Sequence, residues 1–188
     1  MAARRRISMA DLPAALAADR DAASPHLVRA LIDGVYSGAL RLTGSRADAE
    51  DVAQEAFLRS YRALGTYPPE RIRELHLREW VWTIAANLCR NRARSRGRHP
   101  EEALDPAMTA PDPGPGPEAL TVAAEGGKHL AALLARLPWP QRSAVVLRHV
   151  TGLSYAEVAA ALRRPVGTVK ADVHRGLQQL RTLLEEAP

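Results

Sequence analysis

The chain has 188 residues, 46% of them hydrophobic and 25% charged, enough apolar material for one ordinary domain or two small ones, which excludes a disordered tail. A single cysteine, Cys89, rules out an internal disulfide and a cysteine-based zinc cage; Arg4, Arg5 and Arg6 precede no apolar stretch, and no eighteen uncharged apolar residues run together. A cytoplasmic protein without membrane insertion is expected, and 26 basic against 21 acidic residues, a net +5, favour a polyanionic partner.

Along the chain the charge falls into blocks. Residues 1–25, an N-terminal extension, hold four arginines and three aspartates; 26–98 hold thirteen arginines and eight acids. Residues 99–127 contain six acids and no lysine or arginine, and 128–188 contain nine basic and four acidic residues. Pro100, Pro106, Pro111, Pro113, Pro115 and Pro117 crowd the acidic block, which has too few large apolar residues to offset its ordering entropy. It is read as a flexible acidic linker between two helical domains, 26–98 and 128–188.

In the first domain, Leu27, Leu31, Val35, Ala39 and Leu42 recur at helical spacing and Gly44 supplies a stop. Ser45 and Asp48 form a capping pattern for a second helix, whose stripe is Ala49, Val52, Ala53, Ala56, Phe57, Tyr61 and Leu64. Its other face gathers Asp51, Gln54, Glu55 and Leu58, which by composition alone reads as a solvated face. After a break at Thr66 to Pro69, a third helix follows on Leu77, Trp80, Val81, Ile84, Ala85 and Leu88. The reverse side of that helix carries Trp82, Thr83, Asn87, Arg90, Asn91 and Arg94. Arg90, Arg92, Arg94, Arg96 and Arg98 alternate with no acid among them, a repulsive arrangement that phosphate would relieve. Aromatic rings that stack on bases and amides that read their edges suit single-stranded nucleic acid, whereas Trp82 as ordinary core and a solubilising arginine tail form the alternative.

In the second domain, Pro140 opens a helix through Val145, Val146 and Val150 to Gly152. Ser154 and Glu157 form a capping box for a short helix with Val158, Ala159 and Leu162 inside, Arg163 to Val166 make a turn, and Val169, Val173, Leu177, Leu180 and Leu184 line a longer helix. This is a helix-turn-helix pattern. Opposite its apolar seam the second helix shows Thr168, Ala171, Arg175 and Gln178, flanked by Lys170, Asp172 and His174, a face able to enter a major groove, where an Asp172 carboxylate would repel phosphate unless it accepts from a cytosine amino group. A structural helical hairpin shares the same pattern.

Together these stretches resemble the extracytoplasmic-function (group 4) sigma factors of bacterial RNA polymerase. The resemblance is carried by Arg41-Leu42-Thr43-Gly44 with Asp48-Ala49-Glu50-Asp51-Val52-Ala53-Gln54-Glu55-Ala56-Phe57, by Trp80-Val81-Trp82-Thr83-Ile84-Ala85-Ala86-Asn87, and by Leu137-Pro138, Gln141-Arg142, Gly152-Leu153-Ser154-Tyr155-Ala156-Glu157-Val158-Ala159 and Gly167-Thr168-Val169-Lys170. It implies an all-α fold of two small domains, sigma region 2 and the sigma region 4 helix-turn-helix. It further implies that Asp51, Gln54, Glu55 and Leu58 meet the clamp of the polymerase largest subunit and that the second domain meets the flap of the second-largest subunit. Trp82, Thr83, Asn87, Arg90, Asn91 and Arg94 would then meet the minus-ten element, and Arg164, Thr168, Lys170, Ala171, Asp172, His174 and Arg175 the minus-thirty-five element. Promoter DNA, duplex and single-stranded, and an anti-sigma factor are the further partners it implies. A conventional helix-turn-helix regulator is the alternative. Six histidines stand without a metalloprotease motif, a glycine-rich phosphate loop or a nucleophile motif, so no enzymatic activity, metal or cofactor is expected.

Overall fold

The computed structural model of the chain describes residues 7–98 and 129–186, all of whose regular structure is helical. The expected linker, 99–127, lies outside the described residues, as do the side chains of Arg96 and Arg98.

Helix α1, Leu12–Ala18, buries Leu12 and Leu16 completely and packs against α2 and α4. This part of the N-terminal extension therefore belongs to the core, although two leucines among alanines make too short a stripe to register as a period. Helix α2, Arg20–Thr43, starts at Asp19, whose carboxylate accepts from the Ala22 amide at 3.0 Å, and ends at Gly44 with φ 70°. Helix α3, Arg46–Leu64, is capped by Ser45, which accepts from the Asp48 amide at 3.2 Å. At the far end of that pair, Arg20 lies 4.2 Å over the Tyr61 ring and the Tyr61 hydroxyl donates to Asp21 at 2.8 Å. The stretch after Gly65 contains a one-turn helix, α4, Pro69–Arg73, held by the single buried side chain of Ile72. Helix α5, Leu77–Arg98, follows.

The second half begins with α6, residues 129–135, and α7, Trp139–Val145, which widens into a π-helical turn over Val146–Val150 before Gly152 with φ 68°. Helix α8, Tyr155–Leu162, has the full capping box of Ser154 and Glu157, and α9 is Val166–Glu185. The seam of α9 consists of Val169, Asp172, Val173, Gly176, Leu180 and Leu183, while Leu177 and Leu184, expected inside, are 43% and 54% exposed. Gly176 explains the shift. A Cβ there would stand 2.7 Å from a Val145 methyl, so the α9 backbone itself presses on α7 and rotates its leucines outward.

Arg163 closes α8 in the left-handed region at φ 53°, the one non-glycine residue with positive φ among the described residues. Arg163→Gly should raise stability by about 0.5–1 kcal/mol, since the relieved Cβ clash exceeds the extra chain entropy of glycine. Chemical denaturation checks this, and an unchanged midpoint would mean that the arginine side chain compensates its strained backbone.

The two halves pack together. Helix α5 is covered by α2 and α3 on one side and by α8 on another, and one hydrophobic cluster runs through both halves. Arg78 donates to the Thr151 carbonyl at 2.7 Å and lies 3.5 Å from Glu157; Arg142 donates to the Leu42 carbonyl at 3.4 Å.

Candidate nucleic-acid interface

Helix α3 turns Ala49, Val52, Ala53, Ala56 and Phe57 inward, which leaves Asp51, Gln54, Glu55 and Leu58 on its outer side. Leu58 is 41% exposed, an apolar side chain at the end of a polar row. The acids are partnered. Asp51 accepts from Arg92 at 3.2 Å, and Arg92 also lies 3.5 Å from Asp48, so the acidic row of α3 adjoins the arginine row of α5. Glu55 accepts from Arg59 at 2.6 Å, and this hydrogen bond holds its carboxyl below the usual range.

On α5, Arg90, Asn91 and Arg94 are exposed and Asn87 is half-buried, its side-chain oxygen accepting from Arg90 at 2.8 Å. The half-buried Thr83 hydroxyl donates to the Glu79 carbonyl at 2.9 Å. Trp82 departs from the sequence expectation: it is 2% exposed and presents no ring to solvent. The cause is a backbone approach on α2. A Cβ at Gly38 would lie 2.4 Å from the Trp82 ring and 2.8 Å from the Thr151 methyl, so the indole fills the joint where α2, α5 and the second half meet.

On α9, Lys170, Ala171, His174 and Arg175 are exposed and Thr168 is half-buried; Arg164, in the turn before it, is half-buried. Asp172 is the second departure. It is 3% exposed and lies on the inner seam, where one carboxylate oxygen accepts from Arg164 and the other from Arg175, the latter at 2.8 Å. A carboxylate so placed cannot accept from a base in the groove. Periodicity placed Asp172 outside because it counted only apolar residues as inward-facing.

A cavity of about 510 Å³ lies between the halves, lined on one side by Asn87, Arg90 and Arg94 and on the other by Trp139, Arg142 and Arg164. Residues expected to read two different DNA elements thus face a single space. Sequence reasoning missed the groups that hold this arrangement: Gly38, Arg78 and Arg142. Burial lowers the Arg142 guanidinium from its ordinary value, and its N–H groups donate to the Ala135 and Leu137 carbonyls as well as to Leu42. Glu157, opposite Arg78, is held below the usual carboxylate range; burial opposes this, but the Ser154 amide and hydroxyl and the Arg78 charge outweigh it. Nothing local in the sequence marks Arg78 as a bridge, because its partners lie 73 and 79 residues further on.

Other chemistry is sparse. Burial pushes the Cys89 thiol up to about 12, which keeps it un-ionised and unreactive at neutral pH. Among the described residues, no three His, Cys, Asp or Glu side chains converge on a metal position, and no helix is long and apolar enough to cross a membrane.

Comparison with known proteins bears on the family and the fold. Residues 27–99 match the Sigma-70 region 2 family and residues 129–180 match the Sigma-70, region 4 family. The ECF RNA polymerase sigma factor SigE of Mycolicibacterium smegmatis is 41% identical over 159 residues, which cover 84% of this chain and 60% of that protein. SigW of Bacillus subtilis, also an ECF RNA polymerase sigma factor, is 31% identical over 164 residues, covering 82% of this chain and 84% of its own. Among solved structures, CnrH, in complex with the cytosolic domain of CnrY, superposes with a TM-score of 0.72 over 96% of this chain and 99% of that one at 22% identity. The sigma factor RpoE in complex with the anti-sigma factor NepR from Bartonella quintana gives 0.62 over 86% and 96% at 21% identity; both likenesses concern the fold.

Proposed function

This chain belongs to the ECF sigma factors of bacterial RNA polymerase, and we propose that it binds the polymerase core and directs it to promoters by reading a minus-ten and a minus-thirty-five element. Sigma factors are non-enzymatic regulators of transcription, and the reading assigns this chain no chemical step. Unstacking a base costs a few kcal/mol, an amount that stacking and pocket contacts of about 1–3 kcal/mol per base offset without hydrolysis.

One observation carries the proposal: α3 exposes an acid, amide and leucine row that its own core does not use, beside an α5 face of Asn87, Arg90, Asn91 and Arg94. The first row is assigned to the clamp of the polymerase largest subunit. The second is assigned to the minus-ten element, with Asn87 and Thr83 towards bases and the arginines towards phosphates. Thr168, Lys170, Ala171, His174 and Arg175 on α9 are assigned to the minus-thirty-five element, and the second half to the flap of the second-largest subunit.

The two halves must separate for this work. The elements are named for positions twenty-five base pairs apart, about 85 Å of duplex at 3.4 Å per base pair. Arg90 and Arg164 line one cavity of about 510 Å³, too small for a duplex. The closed arrangement is therefore read as the form that does not engage a promoter. Separation would open the joint at Gly38, where the Trp82 ring and the Thr151 methyl meet. By analogy with the complex of RpoE and NepR, the closed form is the one assigned to an anti-sigma partner. The reading places the protein in the bacterial cytoplasm with its polymerase.

Run-off transcription with purified core polymerase tests the proposal: initiation at defined promoters is expected only when this chain is added. Sequence-specific duplex binding that neither requires nor recruits core polymerase would point instead to a conventional regulator. The α5 assignment has its own test. Replacing Arg90 and Arg94 by alanine should weaken all promoters alike and flatten the salt dependence, whereas Asn87→Ala should change the ranking of minus-ten variants by about 1–3 kcal/mol. Equal loss on every variant for Asn87→Ala would remove its base-reading role.

A further inference from the structure

Asp172 is unusual in chemical terms. A carboxylate on a helix that meets DNA repels phosphate when exposed, and when buried it costs several kcal/mol unless its partners are well placed. Here the side chain is 4% exposed and has two guanidiniums, one on each oxygen: Arg164 from the turn before α9 and Arg175 from one turn further along α9. The partners remain open, with the Arg164 side chain 32% and the Arg175 side chain 58% exposed. Each guanidinium has five N–H groups in a rigid planar fork, so the bond to Asp172 tethers one end of the fork, restricts its orientation and leaves several donors for a ligand.

We propose that Asp172 is a positioning residue for minus-thirty-five recognition: it restricts the orientation of the guanidiniums of Arg164 and Arg175 on the groove face of α9, so that they read base edges instead of roaming among phosphates. The inference rests on the promoter-reading role assigned to α9 above. An unrestrained arginine on a basic helix finds the nearest phosphate, a contact that carries no sequence information. An arginine whose orientation is restricted meets guanine O6 and N7 together or not at all. The trio carries one net positive charge where two free arginines would carry two, so Asp172 trades general electrostatic affinity for discrimination.

The test uses the full chain assembled with core polymerase, run-off transcription from a mapped promoter and its single-base minus-thirty-five variants, and the salt dependence of promoter binding. For Asp172→Asn and Asp172→Ala the ratio between the best and the substituted minus-thirty-five elements should fall about tenfold, the size of one lost bidentate contact. The salt slope should steepen as the freed guanidiniums reach phosphates. Adding Asp172→Ala to Arg175→Ala should reduce discrimination by less than the sum of the two single changes, because Asp172 acts through that arginine. A purely structural Asp172 would lower the melting temperature and scale all promoters equally; that result, discrimination intact, would overturn the proposal. Arg175→Lys guards against variants that fail to fold, since it keeps the charge at an exposed position and removes only the planar fork. It should lose discrimination like Asp172→Asn, and full retention would equally overturn the proposal. If the wild-type holoenzyme is indifferent to every minus-thirty-five substitution, the reading of α9 falls and the proposal with it. If the wild type discriminates and the variants do so equally, the proposal alone falls.

Discussion

Trp82→Ala is expected to lower the stability of the folded chain by about 3–5 kcal/mol, the range for a buried aromatic whose cavity does not collapse. Collapse is hindered here because the indole sits between the α2 backbone at Gly38 and the turn at Thr151. Gly38 on α2 has no side chain to move inward, and the Thr151 methyl belongs to a turn held by its own hydrogen bond to the Leu147 carbonyl at 2.7 Å. Such a loss is a large fraction of the 5–15 kcal/mol typical of whole domains. The joint between the halves should loosen as well. Small-angle scattering of Trp82→Ala is expected to show a larger radius of gyration than wild type, and Gly38→Leu should open the joint by the opposite route, overfilling it where even a Cβ would stand 2.4 Å from the ring. A Trp82→Ala chain that melts within 0.5 kcal/mol of wild type would show that the indole does not bear on the joint.

What could be read from the sequence was what local chemistry decides. Gly44 ends α2 because its φ of 70° suits glycine, and Ser45 and Ser154 start α3 and α8 because their hydroxyls reach the amides three residues on. The open face of α3 follows from the same periodicity that buries its other side. The failures have one physical origin: burial from a direction that a single helix's period does not report. Helix α5 is covered by partners on two sides, so Trp82, on the face opposite the expected stripe, is as buried as Val81. On α9 the seam is set by Gly176 and Asp172, a residue without a side chain and a charged one, neither of which hydrophobic periodicity counts. Arg78 and Arg142 bridge the halves through carbonyls of Thr151 and Leu42, and backbone acceptors leave no trace in composition. The Asp172 carboxylate, expected to meet a cytosine in the groove, is directed inward instead, onto Arg164 and Arg175.

Reversal of both acids on the outer face of α3, Asp51→Lys with Glu55→Lys, is expected to weaken binding to core polymerase by about a hundredfold, as is Leu58→Asp alone, while leaving helical content and thermal midpoint nearly unchanged. The asymmetry follows from where these side chains stand. Within the chain they make only surface pairs, Asp51 with Arg92 at 3.2 Å and Glu55 with Arg59 at 2.6 Å, and exposed pairs of this kind contribute little to folding. Leu58, 41% exposed, gives up little core contact when replaced. At an interface the same groups lose their water, and a reversed charge then faces a partner group of its own sign with no solvent to screen it, which is why effects that are small in the free chain become large in the complex. Leu58→Asp separates the apolar part of the contact from the charged part, because it leaves the pairs with Arg92 and Arg59 in place. Co-purification and titration against core polymerase measure both arms, and circular dichroism checks the fold. A double reversal that folds normally and binds core polymerase with wild-type affinity would mean that this face is merely solvated, and the clamp contact would have to be sought elsewhere on the first half.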